Sequence, residues 1–251
     1  MALPDWLTTH ELSEAFGGQI EGLGGRVSEC FDDGERLFER SILPCPCEVQ
    51  RGDALQGGVA LLAADHEVRV HPYVFRQVCS NGAIMAHAIQ TQRIEVPEWP
   101  ADLERFMEHV GETVRACAAA EVFAGDVAEI RSAIDREADF ALTVLPLLDR
   151  LPEAVRIQMM GMIAGRFFTG EDRSRYGLMN AVTAVARDTT EPDVKWRLEE
   201  IGGRVAGMQP VPRRQVGMML SHRGHSYAER MGAAAAPPPR QGAAQREHAR
   251  N

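Results

Sequence analysis

Twelve residues constrain this chain more than any others: VALLAADHEVRV, Val59–Val70. Val59, Leu61 and Leu62 are apolar, Ala64-Asp65-His66-Glu67 is a polar turn, and Val68 and Val70 alternate with Arg69 and His71. That pattern predicts two antiparallel strands joined by a tight turn. An isolated hairpin is marginal in water, so the rest of the chain must supply further strands or a helical layer to cover it. Downstream, Phe75-Arg76-Gln77-Val78-Cys79-Ser80-Asn81-Gly82 leads into a second apolar run. Here the reading is a helix over residues 83–90. Ser80 or Asn81 would accept an orphan amide at its start, and Gly82 would make the close turn.

Around this centre the elements follow in order. Thr8-Thr9-His10-Glu11 has the spacing of a capping box, predicting a short helix through Phe16. Asp33-Gly34 signals a hairpin within residues 26–42. Pro44 and Pro46 impose an irregular segment. Pro97 and Pro100 mark a boundary. Beyond it, Leu103, Phe106, Met107, Val110, Val114 and Cys117 keep the three-four spacing of one buried helix face. Asp126 is read as starting a second helix that Pro146 ends or kinks, and Pro152 as standing in the first turn of a third. Helices over 174–187 and 194–204 complete the series. From Met208 the chain is rich in Ala, Pro, Gly and Arg with little apolar period. That composition cannot bury enough surface to offset its ordering entropy, so it reads as a mostly disordered tail. The expected class is α+β: a twisted antiparallel sheet in a strand-rich part (1–97), a helical half (98–207) and a basic tail (208–251).

Charge and cysteine usage narrow the classes of function. The chain has 251 residues and a formal net charge of −9. The segment from Met208 holds seven Arg and two Glu, which leaves −14 for the remainder. Such a body is not uniformly basic, although a local groove is compatible with it. Lys195 is the only lysine, so almost all positive charge is guanidinium. Codon usage accounts for that preference, and so does bidentate binding of phosphate. Five cysteines without a basic-then-apolar leader point to a reducing cytoplasm. No apolar run approaches the roughly 20 residues of a membrane span.

Several constellations carry less than they first promise. Cys45-Pro-Cys47 with His66, His71 and Cys79 downstream lacks the paired spacing of a structural zinc site. Cys79, with His71 or His87 as base, is a nucleophile reading that its apolar neighbours Val78 and Ile84 oppose. No phosphate-cradling glycine motif is present. No cofactor or catalysed reaction is therefore expected. The strongest remaining pattern is arginine interleaved with aromatics. Arg69, Arg76 and Arg93 flank the hairpin. Arg166, Arg173, Arg175 and Arg187 flank RSRYGLMNAVTAVARD, with Phe167, Phe168 and Tyr176 among them. Gathered on one face, such groups hold single strands without reading sequence.

Two stretches resemble one family. In VRVHPYVFRQVCSNGAIM, residues Arg76, Cys79, Ser80, Asn81 and Gly82 resemble its R-x-x-C-[ST]-N-G segment. In SRYGLMNAVTAVARD, residues Tyr176, Gly177, Asn180, Ala181 and Thr183 resemble its aromatic-Gly-x-x-Asn-Ala-x-Thr helix, with Tyr176 where tryptophan is expected. The family is the phage/plasmid-like proteins grouped as domain of unknown function 932, and the similarity spans residues 50–206. The resemblance implies a protein of phages, plasmids or other mobile elements, with a strand–strand–helix core like that of single-strand annealing proteins. The expected function is sequence-tolerant binding or annealing of single-stranded DNA in replication or recombination, by a homo-oligomer. Arg69, Arg76, Arg93, Arg166, Arg173 and Arg175 are the expected contacts. Cys79, Asn81, Gly82, Tyr176, Gly177 and Asn180 are the structural motif, with Asn81 and Asn180 read as helix caps or buried hydrogen-bonding groups. The rival expectation is a protein-interaction module, such as one countering a host defence, to which the acidic body is suited.

Overall fold

A computed structural model describes residues 3–44, 46–85, 92–97, 102–149 and 151–208. Its spine is the hairpin of β4 (Asp53–Ala64) and β5 (Glu67–Arg76), paired over ten positions from Leu55↔Arg76 to Ala64↔Glu67. Asp65 and His66 turn the corner with φ of 53° and 60°. Two successive left-handed residues are what a two-residue type I′ connection requires. β1 (Arg26–Asp32) and β2 (Leu37–Ile42) form the second hairpin, at Asp33-Gly34 as the sequence indicates. Gly34 takes φ of 84°, and the Asp33 carboxylate accepts from the amides of Glu35 and Arg36. β3 (Cys47–Gln50) pairs with the start of β4 and β2 with its end. β6 (Asn81–Ile84) and β7 (Gln92–Glu95) divide the outer edge of β5 in the same way. Among the described residues the sheet has seven strands, every pairing antiparallel, with the path β1-β2-β4-β5-β6.

Alternation along the spine sends side chains into two layers. Val59, Leu61 and Ala63 with Val68 and Val70 face α1 (Thr9–Gly22) and α2 (Leu103–Cys117), meeting Leu12, Phe16, Ile20, Val110 and Val114. Ala60 and Leu62 face the other way, toward Trp196. That side is closed by α7 (Arg175–Arg187) and α8 (Pro192–Gly207), behind which lie α3 (Ala120–Ile134), the short α4 (Phe140–Thr143) and α5 (Leu145–Leu148), and α6 (Glu153–Thr169). Apolar burial on both faces explains why the hairpin reads as a near-continuous hydrophobic run. The described residues up to Met208 make one compact unit, and residues 209–251 lie outside the described residues.

Three local expectations are corrected. Asn81–Ile84 is a strand, paired Arg76↔Asn81 and Tyr73↔Ile84, not the start of a helix. Residues 86–90 of that expected helix are outside the described residues. Gly82 therefore lies inside a strand, where an added Cβ would sit 1.7 Å from the Tyr73 hydroxyl. α3 begins at Ala120, leaving Asp126 buried in its middle, and Pro146 stands in the first turn of α5. The Thr8 capping box is present with both of its reciprocal bonds, and the helix it opens runs on to Gly22.

Candidate functional site

The two motif segments, about a hundred residues apart in sequence, meet. β5 and β6 are joined by the turn Gln77–Ser80, and that turn leans on α7. Arg187, the last residue of α7, donates from Nη1 to the Cys79 carbonyl at 2.6 Å. At the other end of α7 the Tyr176 hydroxyl donates to Asp53 Oδ2 at 2.6 Å. Arg76 closes the arrangement. Its Nε and Nη2 each lie 2.7 Å from the Asp53 carboxylate, Nη1 is 3.3 Å from Cys79 Sγ, and its guanidinium stands 5.4 Å from the Tyr176 ring centroid. Burial alone would raise the Asp53 carboxyl, but hydrogen bonds from Arg76 and Tyr176 outweigh it and hold the group below its ordinary value. The Tyr176 phenol is pushed up by burial and by Asp53. These groups are held in fixed charge states, which suits a scaffold and not proton transfer.

Above this network opens a pocket of about 490 Å³. Gly177, Asn180, Ala181, Ala184 and Arg187 of α7 line it, a helical face whose small residues leave a groove. Arg76, Cys79 and Asn81 form the opposing wall, and Arg166, Glu171 and Asp172 border it from α6 and the α6–α7 loop. Asn81 is only 3% exposed. Among the described residues, neither Asn81 Oδ1 nor Asn180 Oδ1 has a hydrogen-bond partner, and both residues line the pocket. A buried acceptor left unmade costs about 1–3 kcal/mol, and these two belong to residues that line one pocket. Neither asparagine caps a helix. Gly177 has a structural reason: an added Cβ would lie 2.4 Å from the Asp172 carbonyl, closing the tight entry to α7.

The six expected arginine contacts do not share one strip. Arg69 and Arg93 both pair with Glu67 at the far end of β5. Seven residues of strand rise separate Arg69 from Arg76, roughly 23 Å. Arg173 donates to the carbonyls of Phe167, Gly170 and Phe168, satisfying the orphan acceptors at the end of α6. Arg175 is 8% exposed, its Nε and Nη1 without partners among the described residues, and burial together with Arg136 lowers its pKa. Arg76 and Arg166 do line the pocket, each with a carboxylate: Asp53 for the first, Asp188 for the second. Arg187 shares Asp188 with Arg166, so two guanidiniums meet one carboxylate. Of the aromatics, Phe167 and Tyr176 are buried and Phe168 is exposed.

Asp53 is the organising residue that the sequence did not single out, whereas Arg187 stood among the arginines around the second motif without being an expected contact. Asp53 reads locally as part of a turn after Gly52, and its partners lie 23 and 123 positions away. His71 is buried on the α8 side against Trp196, its imidazole depressed to about 4 chiefly by burial, and it does not line this pocket. His87 and Cys45 lie outside the described residues. Among the described residues no group of three or more His, Cys, Asp or Glu side chains is placed to hold a metal ion, and no helix is long and apolar enough to cross a membrane. No family model, curated protein or solved structure matches the chain.

Proposed function

We propose that the pocket between the Arg76–Gly82 segment and α7 binds a nucleotide unit of single-stranded nucleic acid, most simply DNA. One observation carries the reading: the two motif segments converge on a pocket lined by Asn81 and Asn180, each holding a buried amide oxygen that has no donor among the described residues. Nucleobases present N–H donors on their edges, and a phosphate would be met by the guanidinium pair of Arg166 and Arg187, which share the one carboxylate of Asp188 and stand opposite the bordering acids Glu171 and Asp172. The footprint is narrow. With one phosphate engaged, the logarithm of affinity should fall with the logarithm of salt at a slope of about −0.7, the value per phosphate for single strands. Binding of this kind needs no catalysed reaction. In the setting that the family resemblance implies, it would serve phage or plasmid replication or recombination in the cytoplasm, with repeated subunits lengthening the track.

The test is fluorescence anisotropy of a labelled single-stranded oligonucleotide at low salt. Asn180→Ala should weaken binding about tenfold, equivalent to about 1.4 kcal/mol. The double variant Arg69→Gln/Arg93→Gln should leave affinity within twofold. Absence of binding at low salt would end the reading. It would favour the rival, a protein-interaction module, which the −14 borne outside the tail supports.

A further inference from the structure

The Cys79–Gly82 segment is a partition between two cavities. Cys79 and Asn81 line the pocket already described, whereas Ser80 and Gly82 line a second cavity of about 280 Å³. The same alternation holds one strand back, with Arg76 on the first side and Tyr73 and Phe75 on the second. Period-two alternation divides Asn81 from Gly82 on β6 and Arg76 from Phe75 on β5, while Cys79 and Ser80 belong to the turn between the strands. Ser80 sits at the crossing with φ of 53°, in the left-handed region that a non-glycine residue adopts only at a cost of about 1–2 kcal/mol. Gly82 keeps the second cavity's wall thin, because the Tyr73 ring occupies the space where its Cβ would go.

Arg187 belongs to both cavities. Its Nε is held by Asp188 and its Nη1 by the Cys79 carbonyl, and no acceptor among the described residues reaches its Nη2. Two more cations line the second cavity. Lys195, whose side chain is 15% exposed, pairs with Glu29. Arg26 is exposed on β1, and among the described residues no carboxylate is within ion-pairing distance of it. The acids facing this space are Glu29 and Glu199, and both also contact the buried Arg40. Arg26, Arg40, Lys195 and Arg187 thus meet Glu29, Glu199 and Asp188, leaving one positive charge in excess beside the hydroxyls of Ser28 and Ser80.

We propose that this second cavity receives the next phosphodiester of the strand whose nucleotide occupies the first pocket, so that the site spans two consecutive nucleotides and crosses the partition at Arg187. The inference rests on the nucleotide reading of the first pocket. It adds a length requirement that the first pocket alone does not impose. An extra engaged phosphate also steepens the salt dependence by about 0.7 in the log–log slope.

The experiment is a competition series on the full chain. Thymidine 5′-monophosphate and a 5′-phosphorylated thymidine dinucleotide, which adds one internal phosphodiester, each displace a labelled oligonucleotide. In the wild-type chain the dinucleotide should compete at least tenfold better. Arg26→Gln, a surface change on β1, should shrink that advantage to threefold or less, and Arg26→Gln/Lys195→Gln should abolish it. Mononucleotide competition should stay within twofold in both variants. Circular dichroism confirms that each variant is folded, and the single variant decides the matter if the double one is not. If the dinucleotide is no better than the mononucleotide, or keeps its advantage in Arg26→Gln, the second subsite is refuted while the first pocket stands. If the labelled oligonucleotide itself does not bind, both readings fall together.

Discussion

Replacing Asp53 by alanine should unfasten the junction of β4, β5 and α7. Its carboxylate accepts from Arg76 Nε and Nη2 and from the Tyr176 hydroxyl, with Gln50 Nε2 further off at 3.4 Å. The Asp53 side chain is 5% exposed and that of Arg76 19%. Removing one partner of such a pair leaves the other charge without compensation, which costs about 3–5 kcal/mol. Arg76 lines the pocket and keeps 19% of its side chain exposed, which places the expected loss near the lower end, about 3 kcal/mol. Urea denaturation followed by circular dichroism measures it, with the midpoint falling by about 1 M or more for a slope of about 1–3 kcal/mol/M. Asp53→Asn retains an acceptor for Tyr176 and should lose less, about 1.5–3 kcal/mol, the worth of hydrogen bonds to a charged group. The sign with pH is also determined. Asp53 is held below its unfolded value, so its contribution is complete above about pH 4 and disappears as pH falls through the folded value. Asp53→Asn should remove that acid-side loss. A double-mutant cycle of Asp53→Ala with Tyr176→Phe should show coupling above about 0.5 kcal/mol. A midpoint unchanged in Asp53→Ala, or an additive cycle, would refute the network.

Other substitutions probe separate parts of the account. Burial, assisted by the neighbouring Glu129, pushes the Asp126 carboxyl up to about 8, so the folded chain retains a proton there that the unfolded chain releases near pH 4. Stability should therefore fall by up to about 1.4 kcal/mol per pH unit between about pH 4 and 8, and Asp126→Asn should flatten that slope in thermal melts. Gly82→Ala should destabilise by at least about 1–3 kcal/mol, because its methyl meets the Tyr73 ring within a packed layer, and denaturant midpoints report it. Arg173→Ala should cost about 1–2 kcal/mol of stability through the lost capping of α6, read as a lower melting temperature, with oligonucleotide affinity unchanged. A loss of affinity without loss of stability in Arg173→Ala would restore it as a contact.

What the sequence discloses, and what it withholds, follows the range of the interactions. The β4–β5 hairpin is legible because its signals are local: alternation on either side of a two-residue turn. The capping box at Thr8 and the buried face of α2 are legible for the same reason. Asn81–Ile84 was not, since four apolar or small residues after a polar turn serve a helix start or a strand equally well. Pairing with β5 and cover from α7 and α8 decide for the strand. The arginines are the sharper case. Their number and neighbours can be read from the chain, but their partners cannot. Arg93 pairs with Glu67, Arg166 with Asp188, and Arg76 with Asp53, at separations of tens of residues. A list of guanidiniums therefore overstated the cationic surface. Of the motif residues, Arg76, Cys79, Asn81, Tyr176, Gly177 and Asn180 line one pocket, whereas Ser80 and Gly82 line the other.

Photo-crosslinking addresses that pocket most directly. A single-stranded oligonucleotide carrying a photoreactive base is irradiated with the chain, digested, and the attached peptides are identified by mass spectrometry. The account predicts attachment within residues 76–82 and 166–187, reduced by excess unlabelled single strand. Attachment confined to residues 67–70 and 92–95, or to residues 208–251, would contradict it.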